Sequence, residues 1–272
     1  LLEAEVTRDV GQSAAPLIVA AGISKTYPTV SGGRVVALGG IDLTIDEGDF
    51  VCIVGPSGCG KSSFLRLVAG LDTVTSGRLM LAGAPVRGPS REVGIVFQNA
   101  TLLPWMTVLE NVRLPLRVGG GSGGDEASVR SLLAMVGLAG FADKYPYELS
   151  GGMQQRAAIC RALVRDPKVL LMDEPFGALD ALTRERMNVE LQRIWQTSRK
   201  TVLLITHSIA ESVFLGDRVV VMSPRPGRIL KDFRIGLQRP RSFAETTGDP
   251  EYLRLTREIR ALLDQSAGED AR

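Results

Sequence analysis

Apolar residues fall in short runs along most of this chain. Leu17-Ile18-Val19-Ala20, Arg34-Val35-Val36-Ala37-Leu38, Phe50-Val51-Cys52-Ile53-Val54, Arg78-Leu79-Met80-Leu81 and Val93-Gly94-Ile95-Val96-Phe97 are separated by Gly and Pro, and predict strands. From residue 98 to about 165 the spacing becomes helical, as in Val108-Val112-Leu116 and Met153-Ala157-Cys160-Val164. The run from Gly119 to Gly124 is expected to be a flexible loop between two helices. Lys168 to Met172 and Thr201 to Thr206 read as buried strands flanking an amphipathic helix, with Met187, Leu191, Ile194 and Trp195 on one face. Val219 to Met222 adds a strand, and the chain then turns Pro- and Arg-rich. A last helix is expected after Asp249 as N-cap, with Pro250 in its first turn and Tyr252, Leu255, Ile259 and Leu262 along one stripe. Residues 1 to 15 are unpatterned and read as a loose tail. Short apolar runs alternating with helices indicate an α/β chain with a largely parallel sheet covered on both faces.

Composition narrows the function classes. The 272 residues, 44% apolar and 23% charged, suit one large domain with a sizeable core. The longest apolar run, Ala14 to Ile23, is about ten residues and contains Pro16, short of the ~18 needed to cross a bilayer. The segment from Leu1 to Glu5 lacks a basic region followed by an apolar stretch, so a secretory signal is not expected. Thirty-two basic against 30 acidic residues leave +2, which gives no general electrostatic reason to bind nucleic acid. Cys52, Cys59 and Cys160 form no C-x-x-C pair, so neither a disulfide framework nor a zinc site is expected, and a reducing compartment fits. His207, the sole histidine, excludes a His-rich metal centre.

Gly55-Pro56-Ser57-Gly58-Cys59-Gly60-Lys61-Ser62 matches G-x-x-x-x-G-K-[ST] between a strand and the helical pattern that opens at Ser63. Glycines let backbone N–H groups surround phosphate oxygens, and the helix start adds partial positive charge. Lys61 supplies a point charge for the terminal phosphates, and Ser62 a hydroxyl for Mg²⁺. A thiol reagent on Cys59 is expected to block this loop by bulk. The strand Lys168 to Met172 ends on Asp173-Glu174-Pro175, at the sheet edge where such loops sit. Asp173 is expected to hold Mg²⁺, directly or through water, and Glu174 to act as general base on an attacking water.

Leu149-Ser150-Gly151-Gly152-Met153-Gln154-Gln155-Arg156 resembles the signature of ATP-binding cassette (ABC) ATPases, and it precedes the acidic strand as in that family. Ser150 can cap a helix whose first N–H groups, at Gly151, Gly152 and Met153, make a second anion site. The resemblance covers about residues 17 to 236. It implies a P-loop NTPase (RecA-like) core with an N-terminal antiparallel β-subdomain and an inserted helical subdomain. The expected division is a tail over 1–15, the ATPase domain over 16–236 with its helical subdomain at about 99–165, and a C-terminal helical extension over 237–272. In this family Gln98 resembles the glutamine that contacts Mg²⁺ and water, and Ala178-Leu179-Asp180 the loop joining two nucleotide sites. His207 resembles the histidine at the γ-phosphate, and Tyr27 the aromatic that stacks on adenine. The implied site therefore catalyses through Glu174, His207, Lys61, Gln98 and Asp180. It binds ATP through Tyr27, Gly55 to Ser63, and Ser150 to Gln154, and holds Mg²⁺ with Ser62, Gln98 and Asp173. Met153 stands where Gln is commoner in the family.

Family architecture further implies two chains packed head to tail, with ATP between Gly55 to Ser63 of one and Ser150 to Gln154 of the other. The segment from Gln98 through Leu102-Leu103-Pro104-Trp105, together with Ser223 to Ile229, is similar to importer ATPases serving nitrate, sulfonate and taurine. That resemblance implies a motor docked on transmembrane permease subunits at the cytoplasmic face of the membrane, fed by an external solute-binding protein and not by nucleic acid. The Trp105 segment itself reads either as subdomain core or as the groove for a partner helix. The C-terminal helix is expected to cap the core, with dimerisation or regulation as the other reading. The competing function is a soluble ABC ATPase acting on DNA or ribosomes. Such proteins usually carry two cassettes or a long coiled coil, for which the interval from Ser62 to Leu149 has no room. A small-molecule kinase or GTPase would leave the LSGG segment unexplained.

Overall fold

A computed structural model of the chain describes residues 16–30, 32–118 and 126–269. The expected tail over 1–15 and the Gly119 to Gly124 loop lie outside the described residues. The chain forms strands β1 (Ile18–Pro28), β2 (Arg34–Ile45) and β3 (Phe50–Val54), then helix α1 (Lys61–Val68). Strands β4 (Ser76–Leu81), β5 (Ala84–Pro85) and β6 (Val93–Val96) lead to helices α2 (Val108–Val118), α3 (Glu126–Met135) and α4 (Gly151–Leu163). Strand β7 (Val169–Asp173), helix α5 (Ala181–Ser198), strand β8 (Thr201–Ile205), helix α6 (Ile209–Leu215) and strand β9 (Arg218–Met222) alternate after that. Strand β10 (Ile229–Arg234) and helices α7 (Phe243–Thr246) and α8 (Pro250–Glu269) complete the order.

Two sheets result. A four-stranded antiparallel sheet runs β2-β1-β4-β5, and a six-stranded sheet runs β10-β9-β3-β8-β7-β6. In the second sheet only β10 runs antiparallel to its neighbour; the remaining pairs are parallel. The parallel pairing carries the ends of β3 and β7 to one edge, where the phosphate loop and the acid pair meet.

The central strands serve two cores. Phe50, Cys52 and Val54 of β3 join Leu170, Met172, Val202 and Leu204 in a core with α2 to α6 and α8. Val51 and Ile53, with Leu171, Leu203 and Ile205, face a second core built from β1, β2, β4 and α1. Alternation along each strand is thus apolar on both faces, which is why these runs read as continuous hydrophobic stretches.

The interior of the helical region depends on hydrogen bonds as well as on packing. Fully buried Asn111 accepts from the Leu103 amide at 2.7 Å and donates to the carbonyls of Leu103, Met106 and Thr107. Satisfying all of these holds the irregular 103–107 segment against α2 without an orphaned polar group. At the other end, Arg241 is 4% exposed and donates to the carbonyls of Val213, Phe214 and Gly216. Burial lowers its pKa to about 10, and it still carries its charge at neutral pH, where it complements the end of α6. Asp249 accepts from the amides of Glu251 and Tyr252, as an N-cap should. Tyr252, Leu255 and Ile259 are buried against the main core, so α8 caps it.

Candidate functional site

The loop after β3 opens into a cleft of 440 Å³ lined by Tyr27, Ser57, Gly58, Lys61, Ser62, Glu174 and neighbouring residues. Helix α1 starts at Lys61 with Gly60 as N-cap, at φ 102°, and no side chain caps it. Its first amides are therefore left for a ligand. Gly60 is required twice over. Its φ is in the left-handed region, and a Cβ there would lie 2.7 Å from the Ala37 carbonyl oxygen. Lys61 is 6% exposed and donates from Nζ to the carbonyls of Gly55 (2.7 Å) and Pro56 (2.9 Å). The ammonium is thereby held inside the loop, poised to exchange these carbonyls for phosphate oxygens.

Ser62 donates from Oγ to Asp173 Oδ1 at 3.1 Å, joining α1 to the end of β7. Burial, assisted by the neighbouring charge of Glu174, holds the Asp173 carboxyl above its ordinary range. A cation placed there relieves both effects. Among the described residues no cluster of three or more His, Cys, Asp or Glu could hold a metal alone. Mg²⁺ at phosphates does not need one, because it takes one or two carboxylates and completes its shell with phosphate and water. The oxygen donors Ser62 and Asp173 fit it.

Glu174 adopts φ 46°, uncommon for a residue with a side chain. The turn is secured by its amide, which donates to the Ile205 carbonyl, and by its carbonyl, which accepts from the Gly177 amide. The reversal brings the carboxylate into the cleft, with Oε2 3.3 Å from His207 Nδ1. A Cβ on Gly177 would meet Gln98 Nε2 at 3.1 Å and Glu174 Oε2 at 3.5 Å, so the Gln98 amide stands beside the same carboxylate. Behind His207, Thr206 Oγ1 donates to Glu211 Oε2 and accepts from the Ser208 amide. Burial pushes the Glu211 carboxyl above its ordinary range.

The structure brings Tyr27, Lys61, Ser62, Asp173, Glu174, His207 and Gln98 into one neighbourhood. Tyr27 is fixed by its hydroxyl, which donates to Asp72 Oδ2 at 2.9 Å. Ser150 to Gln154 and Asp180 do not line the cleft. Ser150 caps α4 by accepting from the Met153 amide at 3.4 Å, and Asp180 caps α5 by accepting from the Thr183 amide at 3.0 Å. The bonds from Thr183 hold the Asp180 carboxyl below its ordinary value. Cys59 departs from expectation. Its side chain is 1% exposed and packs toward the second core, so a thiol reagent has no access and only the Cys59 backbone remains for the ligand. Trp105 is 70% exposed and takes no part in the core, whereas Val108 is fully buried and Ala100 and Leu102 pack against the main core, so the segment divides between the two readings.

Three features escaped the sequence reading. Gln155, 4% exposed, donates to the Phe97 carbonyl at 3.0 Å, just before Gln98. Arg161 donates to the carbonyls of Ala100 and Thr101, so α4 grips the loop on both sides of Gln98. Arg225 reaches back from the β9–β10 hairpin to the Gly58 carbonyl and lines the cleft. The sequence marked this stretch only as Pro- and Arg-rich, and nothing in its pattern showed the hairpin or where it packs.

Comparison with known proteins agrees with this geometry. Residues 38–177 match the protein family described as ABC transporter. A taurine import ATP-binding protein of Jannaschia sp. is 49% identical over 214 residues, 78% of this chain and 80% of that one. A nitrate import ATP-binding protein of Synechocystis sp. is 48% identical over 237 residues, 85% of this chain and 89% of that one. A dimeric post-hydrolysis state of an ATP-binding cassette bound to ADP and Pi superposes with a TM-score of 0.70 at 33% identity, covering 81% of this chain and 100% of the other.

Proposed function

The chain belongs to the ABC transporter family, and from that premise we propose that it is the motor subunit of an importer for a small anionic or sulfur- or nitrogen-containing solute such as nitrate, a sulfonate or taurine. As a family member it binds ATP and is an ATPase. The observation that carries the reading is the pairing of Ser62 with Asp173 beneath an uncapped helix start, while Glu174 and His207 stand together at the same cleft.

ATP enters with its adenine against Tyr27 and its phosphates over the amides of Gly58 to Ser63. Lys61 exchanges the carbonyls of Gly55 and Pro56 for the terminal phosphates. Ser62, Asp173 and Gln98 would hold Mg²⁺, whose chemistry there is to neutralise charge building on the phosphate oxygens. Glu174 accepts the proton of the attacking water, and His207 steers the carboxylate and the γ-phosphate. The α4 start is absent from this cleft, and a second copy of the chain supplies it, head to tail. ATP favours that closed pair only while the γ-phosphate is present to be gripped from both sides.

The membrane partner is a pair of permease subunits. Phe97 and Trp105, 42% and 70% exposed, flank the loop that starts at Gln98, and a partner helix seated on Trp105 bears on the catalytic glutamine through that loop. No described helix is long and apolar enough to cross a membrane, which suits peripheral attachment at the cytoplasmic face. Helices α2, α3 and α4 are 11, 10 and 13 residues long, too short for the coiled-coil arm of a DNA-acting ABC ATPase.

The test is oligomeric state under nucleotide. Glu174→Gln with ATP is expected to elute as a dimer, and wild type with ADP as a monomer; a monomer in both would overturn the two-chain site. Stable retention on DNA or ribosomes, with no permease association, would overturn the transport reading.

A further inference from the structure

The hairpin joining β9 to β10 has no part in the mechanism above, yet it is packed against the phosphate loop. Ser223 closes its tip, accepting from the Arg228 amide at 3.0 Å and donating to the carbonyls of Pro224 and Pro226. Gly227 donates to the Ala37 carbonyl at 3.0 Å, and Gly39 donates back to the Gly227 carbonyl at 3.0 Å. A Cβ on Gly227 would lie 2.0 Å from the Cys59 carbonyl oxygen. Only glycine lets the hairpin lie this close to the loop.

That approach sets Arg225 over the cradle. Its Nε and Nη2 donate to the Gly58 carbonyl at 3.2 and 3.1 Å, and the side chain lines the same cleft as Lys61 and Glu174. A guanidinium carries five donors, and one carbonyl oxygen does not exhaust them. Arg225 is exposed, and among the described residues no carboxylate pairs with it. Planar, permanently charged and forked, it matches phosphate oxygens better than a point charge does.

We propose that Arg225 is a second cation for the nucleotide's phosphates, approaching the loop from the hairpin at Gly58 while Lys61 approaches from inside. The inference rests on the ATP-binding reading of the cleft. Loop and hairpin then form one clamp, with Gly227 as the contact that sets its spacing.

The test is ADP binding by the full chain, measured by calorimetry, so that neither hydrolysis nor pairing of chains intervenes. Arg225→Ala is expected to weaken ADP about tenfold, about 1.4 kcal/mol, and the loss should shrink at high salt because the site is open to solvent. The ligand-free melting temperature should not change, since the side chain is exposed. Arg225→Gln separates charge from loop bracing. Its amide can still donate to the Gly58 carbonyl, yet affinity should fall as in the alanine variant. ADP affinity within twofold of wild type in Arg225→Ala, or full affinity in Arg225→Gln, would overturn the proposal. Failure of wild type to bind ADP would instead strike the ATP-binding reading, and Lys61→Ala supplies the control for a cleft that binds through this loop.

Discussion

Helices α1 and α4 both begin at glycine-rich segments proposed to bind phosphate, and they begin differently. Gly60 leaves the first amides of α1 without a side-chain acceptor, whereas Ser150 already gives one to the Met153 amide of α4. The α1 start is surrounded by its chemistry, with Lys61, Ser62, Asp173 and Glu174 all at hand. The α4 start has none of these; a Cβ on Gly151 would meet only Leu179, 3.5 Å away. On the proposed reading, one is a site within a single chain, and the other is half of a site that a second chain completes. A helix N-terminus becomes a strong anion site through its surroundings more than through its dipole.

The sharpest way to divide the two is at the carboxylate beside α1. Glu174→Gln should keep ATP binding and cut turnover by at least ~100-fold, the range for loss of a general base; near-normal phosphate release would remove Glu174 from that role. Next in size, Lys61→Ala should weaken ADP binding by a single chain roughly 30-fold, as removal of a charged hydrogen-bonding partner does. Calorimetry that found the two proteins alike would break the contrast at its α1 end. Ser150→Ala should cost about 1 kcal/mol of stability through the lost cap, lower turnover, and leave single-chain ADP affinity unchanged. A loss of ADP affinity in that variant would place α4 within the cleft of its own chain.

The smallest effect concerns a third helix start, that of α6, where burial holds Glu211 above the ordinary carboxylate range. The folded chain therefore binds that proton more tightly than the unfolded chain does, and stability falls as pH rises past the ordinary carboxylate value. Glu211→Gln is neutral throughout. Its melting temperature, relative to wild type, should be higher at pH 8 than at pH 5, read by calorimetric or dichroism melts. An equal difference at both pH values would show that Glu211 carries its charge in the folded chain.

The sequence was informative wherever chemistry and local pattern coincide. The apolar strand runs, the loop from Gly55 to Ser62, Asp173-Glu174 at a strand end and the Asp249 cap all lie where residue type and position predicted them. Strand lengths were underread in β1 and β2, because β1 continues through the polar run Ser24-Lys25-Thr26, in which Lys25 is itself buried and paired with Asp72. The left-handed turn at Glu174 was invisible because no glycine marks it; tertiary hydrogen bonds impose it. The grip of Gln155 and Arg161 on the Gln98 loop, and of Arg225 on Gly58, spans 58 to 167 residues of chain. Local periodicity carries no information at that range. Cys59 was misjudged because a phosphate loop exposes its backbone and can turn a side chain inward.

The two-faced strands at the centre have an evolutionary consequence. Val51 and Ile53 answer to one half of the molecule, and Phe50, Cys52 and Val54 to the other. Substitutions that reshape the helical half are thus separated, by a full layer of backbone, from the apolar support under the phosphate loop. A lineage can recut the helical face to suit a new partner while its engine keeps the same fittings.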